Sequence, residues 1–357
     1  MRISIIATAG KKVSGQTRVL LEYSQHLTRF GHQVTVYRPT IRYSYNQADV
    51  RRRINLKFKK ALYRLSGPAI RGYRLSWFQP DFPILAIPEV SSRYLPPADF
   101  IIFTSPALIP QIPQFPEDRG KPFFMVQSGF FAENPTPVPL EISLIAIASR
   151  LQKHLSRKFP ERKVHLLVNG INLKQFSNPD KIFKPAEVVG MVFYQKRPAH
   201  KGLEDGIQAF ETVKKNYPHL NLRMVGERRE RWLPSYVEFW DGNNQENVVK
   251  FYRSLDVFLY PSRLDACPLP PMEALACKCG LVTTDVSGIS DFTVPGETAL
   301  VSPAGAPDAL TRNLAYLAGA PDQLRRLSLA GYEKIKEFSY ENQAKKLEEI
   351  LRGCSTP

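Results

Sequence analysis

The stretch MRISIIATAGKKVSGQTRVLLEYSQHLTRFGHQVTVY, residues 1–37, decides the fold. Ile3 to Ala7 is a short apolar run of strand length. A loop with Gly10 follows, and Gly15 precedes Val19, Leu20, Tyr23, Leu27 and Phe30 at helical spacing. Gly31 supplies the stop, and Gln33 to Tyr37 alternates with β-branched residues as a second strand. Strand, loop, helix and strand make a βαβ unit, which implies a parallel sheet. Ligands of such sheets bind beyond the carboxyl ends of the strands, here near Gly10 to Gly15. The loop has no G-x-G-x-x-G, so a nicotinamide fingerprint is absent.

The same alternation runs on through the chain. Asp99 to Thr104, Phe123 to Val126, Ile142 to Ala148 and Val164 to Val168 read as strands, and Arg150 to Phe159 as a helix. A second series starts with a strand at Val188 to Tyr194 and a helix marked by Leu203, Ile207, Phe210, Val213 and Tyr217. Strands at Leu220 to Val225, Val257 to Tyr260, Leu281 to Thr284 and Ala299 to Val301 continue it. Helices are expected near 271–279, 307–318 and 321–337, and Ser339 reads as the N-cap of a last one. The expected organisation is a domain at 1–165, a second at 166–337, and a terminal helix at 338–357 that crosses back to the first. A chain of 357 residues is long enough for both domains.

Composition bounds the partners. The net charge is +16, with 43% hydrophobic and 23% charged residues. A segment at 41–80 stands apart. It carries Arg51, Arg52, Arg53, Lys57, Lys59, Lys60, Arg64, Arg71 and Arg74 with no acid between Asp49 and Asp81. Over 51–74 the pattern suits anionic lipid headgroups or a phosphate-bearing acceptor, because uncompensated like charges repel one another. The plainer alternative is a solvated helix face. Nucleic acid is not an expected partner, since no helix-turn-helix, RNA-recognition or zinc signature accompanies the charge. No apolar run reaches the roughly eighteen residues of a membrane span, and the N-terminal run is too short for a secretory signal. The four cysteines, Cys267, Cys277, Cys279 and Cys354, have no disulfide-framework spacing, so small buried thiols in a reducing, cytoplasmic setting are expected.

The chemistry-bearing stretch is YPSRLDACPLPPMEALACKCG, residues 260–280. Asp265 lies on a loop after a strand, and Glu273, with seven residues between, is expected in the first turn of a helix. Arg197 and Lys201, with Lys196, follow another strand and should reach the same sheet edge. A guanidinium and an ammonium there suit a diphosphate, and a carboxylate suits vicinal hydroxyls. Each residue alone has an ordinary structural role available, Glu273 at a helix start above all. Their arrival together at matching strand ends favours a nucleotide-sugar site.

PSRLDACPLPPMEALACKCGLVTTDVSGISDF resembles the donor-site signature of GT-B glycosyltransferases of family 4. Further matches follow in order at GHQVTVY (31–37), VNGINLKQF (168–176), HKGLEDGIQAF (200–210), LRMVG (222–226) and FSYENQAKKLEEIL (338–351). The resemblance covers nearly the whole chain except 40–80. It implies a GT-B fold, two doubly wound Rossmann-like α/β domains facing a central cleft, with acceptor in the first and nucleotide-sugar in the second. It implies a retaining, hexosyltransferase-type enzyme that needs no cofactor and no metal. The substrates would be a UDP- or GDP-sugar and a saccharide or lipid-linked saccharide acceptor in cell-surface glycan synthesis. It assigns Glu273 to the ribose and Asp265 to the transferred sugar. Arg197 and Lys201 go to the diphosphate, with Lys196 as an alternative. Main-chain groups at Gly15 and around Cys267, Pro268 and Leu269 would cradle phosphate or sugar, and Gln127 would serve the acceptor. The pattern departs at Asp265, where the family usually has Glu, and at Ala266, Cys267 and Pro268, where it is usually small and glycine-rich. A non-catalytic protein that kept the fold and binds a nucleotide or glycan is the alternative reading.

Overall fold

The computed structural model describes residues 1–8, 14–40, 60–61, 63, 78–127, 137–193 and 198–354. Most of the basic segment and the loop carrying Lys196 and Arg197 lie outside the described residues. The chain divides into two units, Met1–Leu167 with Tyr340–Pro357, and Val168–Ser339.

The first unit contains β1 (Arg2–Ile6), α1 (Gly15–Arg29), β2 (Gln33–Pro39), β3 (Ile84–Ile87), β4 (Phe100–Phe103), β5 (Lys121–Val126), β6 (Ser143–Ala146), α2 (Ser149–Lys158) and β7 (Val164–Leu166). The second contains β8 (Val188–Val192), α3 (Leu203–Asn216), β9 (Asn221–Gly226), β10 (Glu238–Asp241), α4 (Gln245–Arg253), β11 (Val257–Tyr260), α5 (Leu269–Ala276), β12 (Gly280–Thr284), α6 (Ile289–Phe292), β13 (Leu300–Ser302), α7 (Pro307–Gly319) and α8 (Pro321–Ile335). The last helix, α9 (Tyr340–Arg352), belongs to the first unit.

Each unit is built on one parallel sheet. The strand orders are β3-β2-β1-β4-β5-β6-β7 and β10-β9-β8-β11-β12-β13. Every residue of β4, β11 and β12 is buried, as expected of strands covered on both faces. Leu259, Phe210, Met224 and Leu314 in the second core are each completely removed from solvent, and burying such a side chain contributes on the order of 2–3 kcal/mol. The strand order turns back beside β1 in one sheet and beside β8 in the other. Those are the positions where an open α/β sheet leaves a crevice at its carboxyl edge.

Local sequence explains the helix ends. Ser14 caps α1, its Oγ accepting from the Thr17 N–H at 3.3 Å. Gly31 takes φ +86° just past the C-cap, a conformation that a Cβ disfavours. Four elements escape the sequence pattern, the single-turn α6 among them. β3 has four residues between Pro83 and Pro88, β10 (EFWD) is a short edge strand with acids at both ends, and α4 is compact and polar.

α9 is fastened to the first unit at several points. Tyr23 and Tyr340 meet edge to face at 5.7 Å, and Lys121 Nζ donates to the Cys354 carbonyl at 3.0 Å. His32 Nε2 lies 3.0 Å from Glu348 Oε1, which also accepts from Arg352. The Arg352 guanidinium, aided by His32, holds Glu348 below the usual carboxylate range. A carboxylate with a depressed folded-state value stabilises the fold above its unfolded value, and that contribution disappears as pH falls through the folded value. Glu348→Gln should therefore cost about 1 kcal/mol at neutral pH, in proportion to one part-buried charge-assisted hydrogen bond. The difference from wild type in denaturant melts should vanish in acid; an equal loss at all pH values would assign the effect to packing.

Candidate functional site

The loops after β8 and β11 are stitched together by backbone hydrogen bonds. The His200 carbonyl accepts from the Arg263 N–H at 2.8 Å, the Leu264 N–H at 3.1 Å and the Ser262 hydroxyl at 3.2 Å. Arg263 then forks onto Asp205 in the first turn of α3, at 2.8 and 2.6 Å. Gly202 sits at φ +60°, and a Cβ there would collide with the Pro261 carbonyl oxygen. Only glycine allows the two chains to approach so closely.

This stitching brings Lys201 to Asp265. The ammonium of Lys201 pairs with Asp265 Oδ2, and the Tyr260 hydroxyl donates to the same oxygen at 2.6 Å. Among the described residues no hydrogen bond falls on Oδ1. Asp265 and Lys201 are each about one-fifth exposed, so a ligand can reach the pair. Tyr260 closes β11 and is buried, its ring stacked on Phe258 at 6.2 Å. It is the residue that the motif reading missed. Its apolar strand context gives no hint that its hydroxyl turns to the loop five residues ahead.

Glu273 is placed differently from the sequence expectation. α5 starts at Leu269 rather than 271, so Glu273 is its fifth residue and no acid lies in the first turn. Pro270 and Pro271 are compatible with this early start, because the first turn needs no intrahelical N–H donors. Glu273 is only 5% exposed. A favourable helix-end charge thus no longer accounts for it, and a buried carboxylate requires polar company.

The loop between the two acids is held from outside. Asn169 Nδ2 donates to the Cys267 carbonyl at 3.0 Å. A Cβ on Gly288 would strike the Ala266 carbonyl at 2.5 Å and Cys267 Cα at 2.7 Å. Of the expected phosphate cradle, Cys267 and Leu269 carry amide N–H groups; Pro268, which precedes α5, has none and can only shape the turn. Burial pushes the Cys267 and Cys277 thiols well up and that of Cys279 up to about 12, so they remain protonated packing groups. Among the described residues no cluster of His, Cys, Asp and Glu could hold a metal ion.

Gly15 and Gln127 belong to the first unit. Gly15 opens α1 and is exposed. Gln127 follows β5 directly; its Nε2 lies 3.5 Å from Met125 Sδ, and its Oε1 is buried without a partner among the described residues. Thr104, directly after the neighbouring β4, has a buried hydroxyl in the same condition. Two orphaned polar atoms thus stand at adjacent carboxyl strand ends, and sequence reasoning found one of them.

Comparison with known proteins bears on this arrangement. Residues 175–334 match the family described as glycosyl transferases group 1. This part of the chain is a group 1 glycosyltransferase domain. The chain is 24% identical over 254 residues to a D-inositol 3-phosphate glycosyltransferase of Segniliparus rotundus, covering 61% of this chain and 56% of that protein. It is 33% identical over 262 residues to an alpha-maltose-1-phosphate synthase of Mycolicibacterium smegmatis, covering 62% and 65%. The chain therefore spans little more than half the length of the first of these relatives. Among solved structures it resembles a mutant of S. aureus TarM in complex with fondaparinux, alpha-GlcNAc-glycerol and UDP. The TM-score is 0.72 at 12% identity, over 98% of this chain and 100% of that one. The fold is GT-B, with two Rossmann-like parallel-sheet domains.

The Tyr260 contact generates a test. Tyr260→Phe keeps the ring in the sheet and removes one hydrogen bond from Asp265. Sugar transfer or hydrolysis should fall about tenfold, because a misplaced carboxylate costs rate rather than fold. The melting temperature should hold, and a parallel fall in it would show a purely structural hydroxyl.

Proposed function

We propose that the chain is a glycosyltransferase moving a sugar from a UDP- or GDP-sugar to a saccharide or lipid-linked saccharide in glycan synthesis. The observation that carries this reading is the Lys201–Asp265–Tyr260 cluster, with the buried Glu273 on the helix that follows it in the chain, inside a group 1 domain. The UDP in the TarM structure is consistent with a uridine donor.

In this reading Lys201, with Arg197 and Lys196 from the adjoining loop, neutralises the diphosphate as the bond from sugar to phosphate breaks. Charge that develops on a leaving group is best met by fixed cations in a partly dry site. No metal is then required. Glu273 accepts the ribose hydroxyls, and Asp265 Oδ1 accepts a hydroxyl of the transferred sugar. The amides of Cys267 and Leu269 meet the remaining phosphate or sugar oxygens, and the family resemblance adds the main chain at Gly15. The acceptor is assigned to Gln127 and Thr104 in the first unit, and transfer proceeds with retention of configuration.

The same cluster supports a second reading. Lys201 is already neutralised by Asp265, as it would be in a nucleotide- or glycan-binding protein without turnover. One experiment separates them. Glu273→Ala should weaken UDP or GDP binding about tenfold or more, the worth of a buried hydrogen-bonding carboxylate. Asp265→Asn should lower nucleotide release from UDP- and GDP-sugars while leaving nucleotide binding in place. Unchanged affinity in the first variant removes the ribose assignment. Binding without release in the native protein, across a panel of acceptors, establishes the non-catalytic reading.

A cytoplasmic protein seated on the inner membrane face completes the proposal, resting on the charge of 51–74. Lys60 is an exception to the uncompensated pattern, since it pairs with Glu89. Among the described residues no helix is long and apolar enough to cross a membrane. Replacing Arg51, Arg52, Arg53, Lys57 and Lys59 with Gln should reduce sedimentation with anionic liposomes. Absence of native sedimentation would eliminate the membrane contact.

A further inference from the structure

The described residues of the first unit line a cavity of about 580 Å³, within the range of roughly 300–1,000 Å³ typical of small-ligand sites. Its origin is local. Between β3 and β4 the chain makes only a one-turn helix at Ser92–Tyr94, with Ser91 Oγ accepting from the Arg93 N–H at 3.3 Å. Tyr63 closes one side, its ring edge to face with Tyr94 at 5.0 Å.

The lining is rich in hydrogen-bond donors. Arg119 is fixed by two bonds, Nε to the Ser92 carbonyl at 3.2 Å and Nη1 to Asp118 at 2.8 Å. Its Nη2 makes no further bond among the described residues. The Arg93 guanidinium has no partner there either, and neither do the hydroxyls of Tyr63 and Tyr94. Burial, with the neighbouring Tyr94, raises the Tyr63 phenol, so it stays a neutral donor. No carboxylate lines the cavity among the described residues. The tyrosine rings and Leu95 supply apolar wall between these donors.

We propose that this cavity binds an anionic saccharide, a sugar ring bearing a phosphate or a carboxylate. Two guanidiniums, one of them fixed in advance, match a planar or tetrahedral anion by paired hydrogen bonds. The phenols can donate to ring hydroxyls while the aromatic and aliphatic walls take the C–H faces of the sugar. The assignment uses residues of the first unit alone and does not rest on the transferase reading.

The test is calorimetry on the full chain with glucose 6-phosphate, glucuronate, glucose and inorganic phosphate. At least one of the two anionic sugars should bind more tightly than both glucose and phosphate; which one distinguishes a phosphate-bearing ligand from a uronate. Arg93→Gln should weaken that binding about tenfold, the worth of one charge-assisted pair. Its melting temperature should not change, because Arg93 is exposed. Glu273→Ala should leave this binding as it is. Equal affinity for inorganic phosphate or for glucose overturns the anionic-saccharide assignment. So does native protein that binds neither anionic sugar, or binding lost in Glu273→Ala and kept in Arg93→Gln.

Discussion

The carbonyl of His200 is the contact on which the candidate site depends. It accepts three donors from Ser262, Arg263 and Leu264, and so joins the chain leaving β8 to the chain leaving β11. Those segments are 62 residues apart at the His200–Ser262 bond, and nothing in either one demands the other. Once joined, they fix where Lys201 and Asp265 stand. The join is possible because Gly202 lacks a Cβ that would collide with Pro261. The positions of these two side chains are therefore set by backbone bonds, which substitution on the surface leaves untouched.

The two edges of the same sheet use charge differently. At the amino edge Lys181 and Asp256 form a pair in which each side chain is 7% exposed. Asp256 Oδ2 also accepts from the N–H groups of Glu187 and Val188, and Lys181 donates to the Leu255 carbonyl. Every charge there is satisfied within the fold, the condition for a buried pair to be tolerated. At the carboxyl edge Lys201 and Asp265 keep about one-fifth of their surface, and Asp265 keeps an oxygen uncommitted among the described residues. Pairing is closed at one edge of the sheet and open to solvent at the other.

How much of this was legible depended on distance along the chain. The βαβ pattern of 1–37 gave the parallel sheet because its signals are local: a glycine-bearing loop, apolar residues at helical spacing, a stop at Gly31, a strand of period two. Asp265 could be placed on its loop because it follows the strand end at Tyr260 closely, whereas the helix position of Glu273 could not. Tyr260, Asn169 and the Arg263–Asp205 fork were not legible, since each acts on a partner that only the fold supplies; Asn169 and Cys267 are 98 positions apart. The start of α5 was misjudged because a run of prolines reads as loop, whereas the first turn of a helix accepts it. β10 was missed because glutamate and aspartate at its ends conceal an edge strand whose partners lie on one side only.

The loop where the chain departs from its family pattern illustrates compensation. A small, glycine-rich segment after the first acid lets backbone approach a ligand. Here Ala266, Cys267 and Pro268 occupy that place and carry more side-chain bulk. The space is recovered on the opposite side, where Gly288 passes so near that any Cβ would overlap Ala266 and Cys267. Cys267 fits because a thiol is small and tolerates burial, and Asn169 fixes its carbonyl. Pro268 removes an amide but stiffens the entry to α5. Asp265, one methylene shorter than glutamate, is met by Tyr260 and Lys201 from behind, so its reach is traded for a fixed direction. The departures in this loop thus form one consistent set of local compensations rather than independent losses.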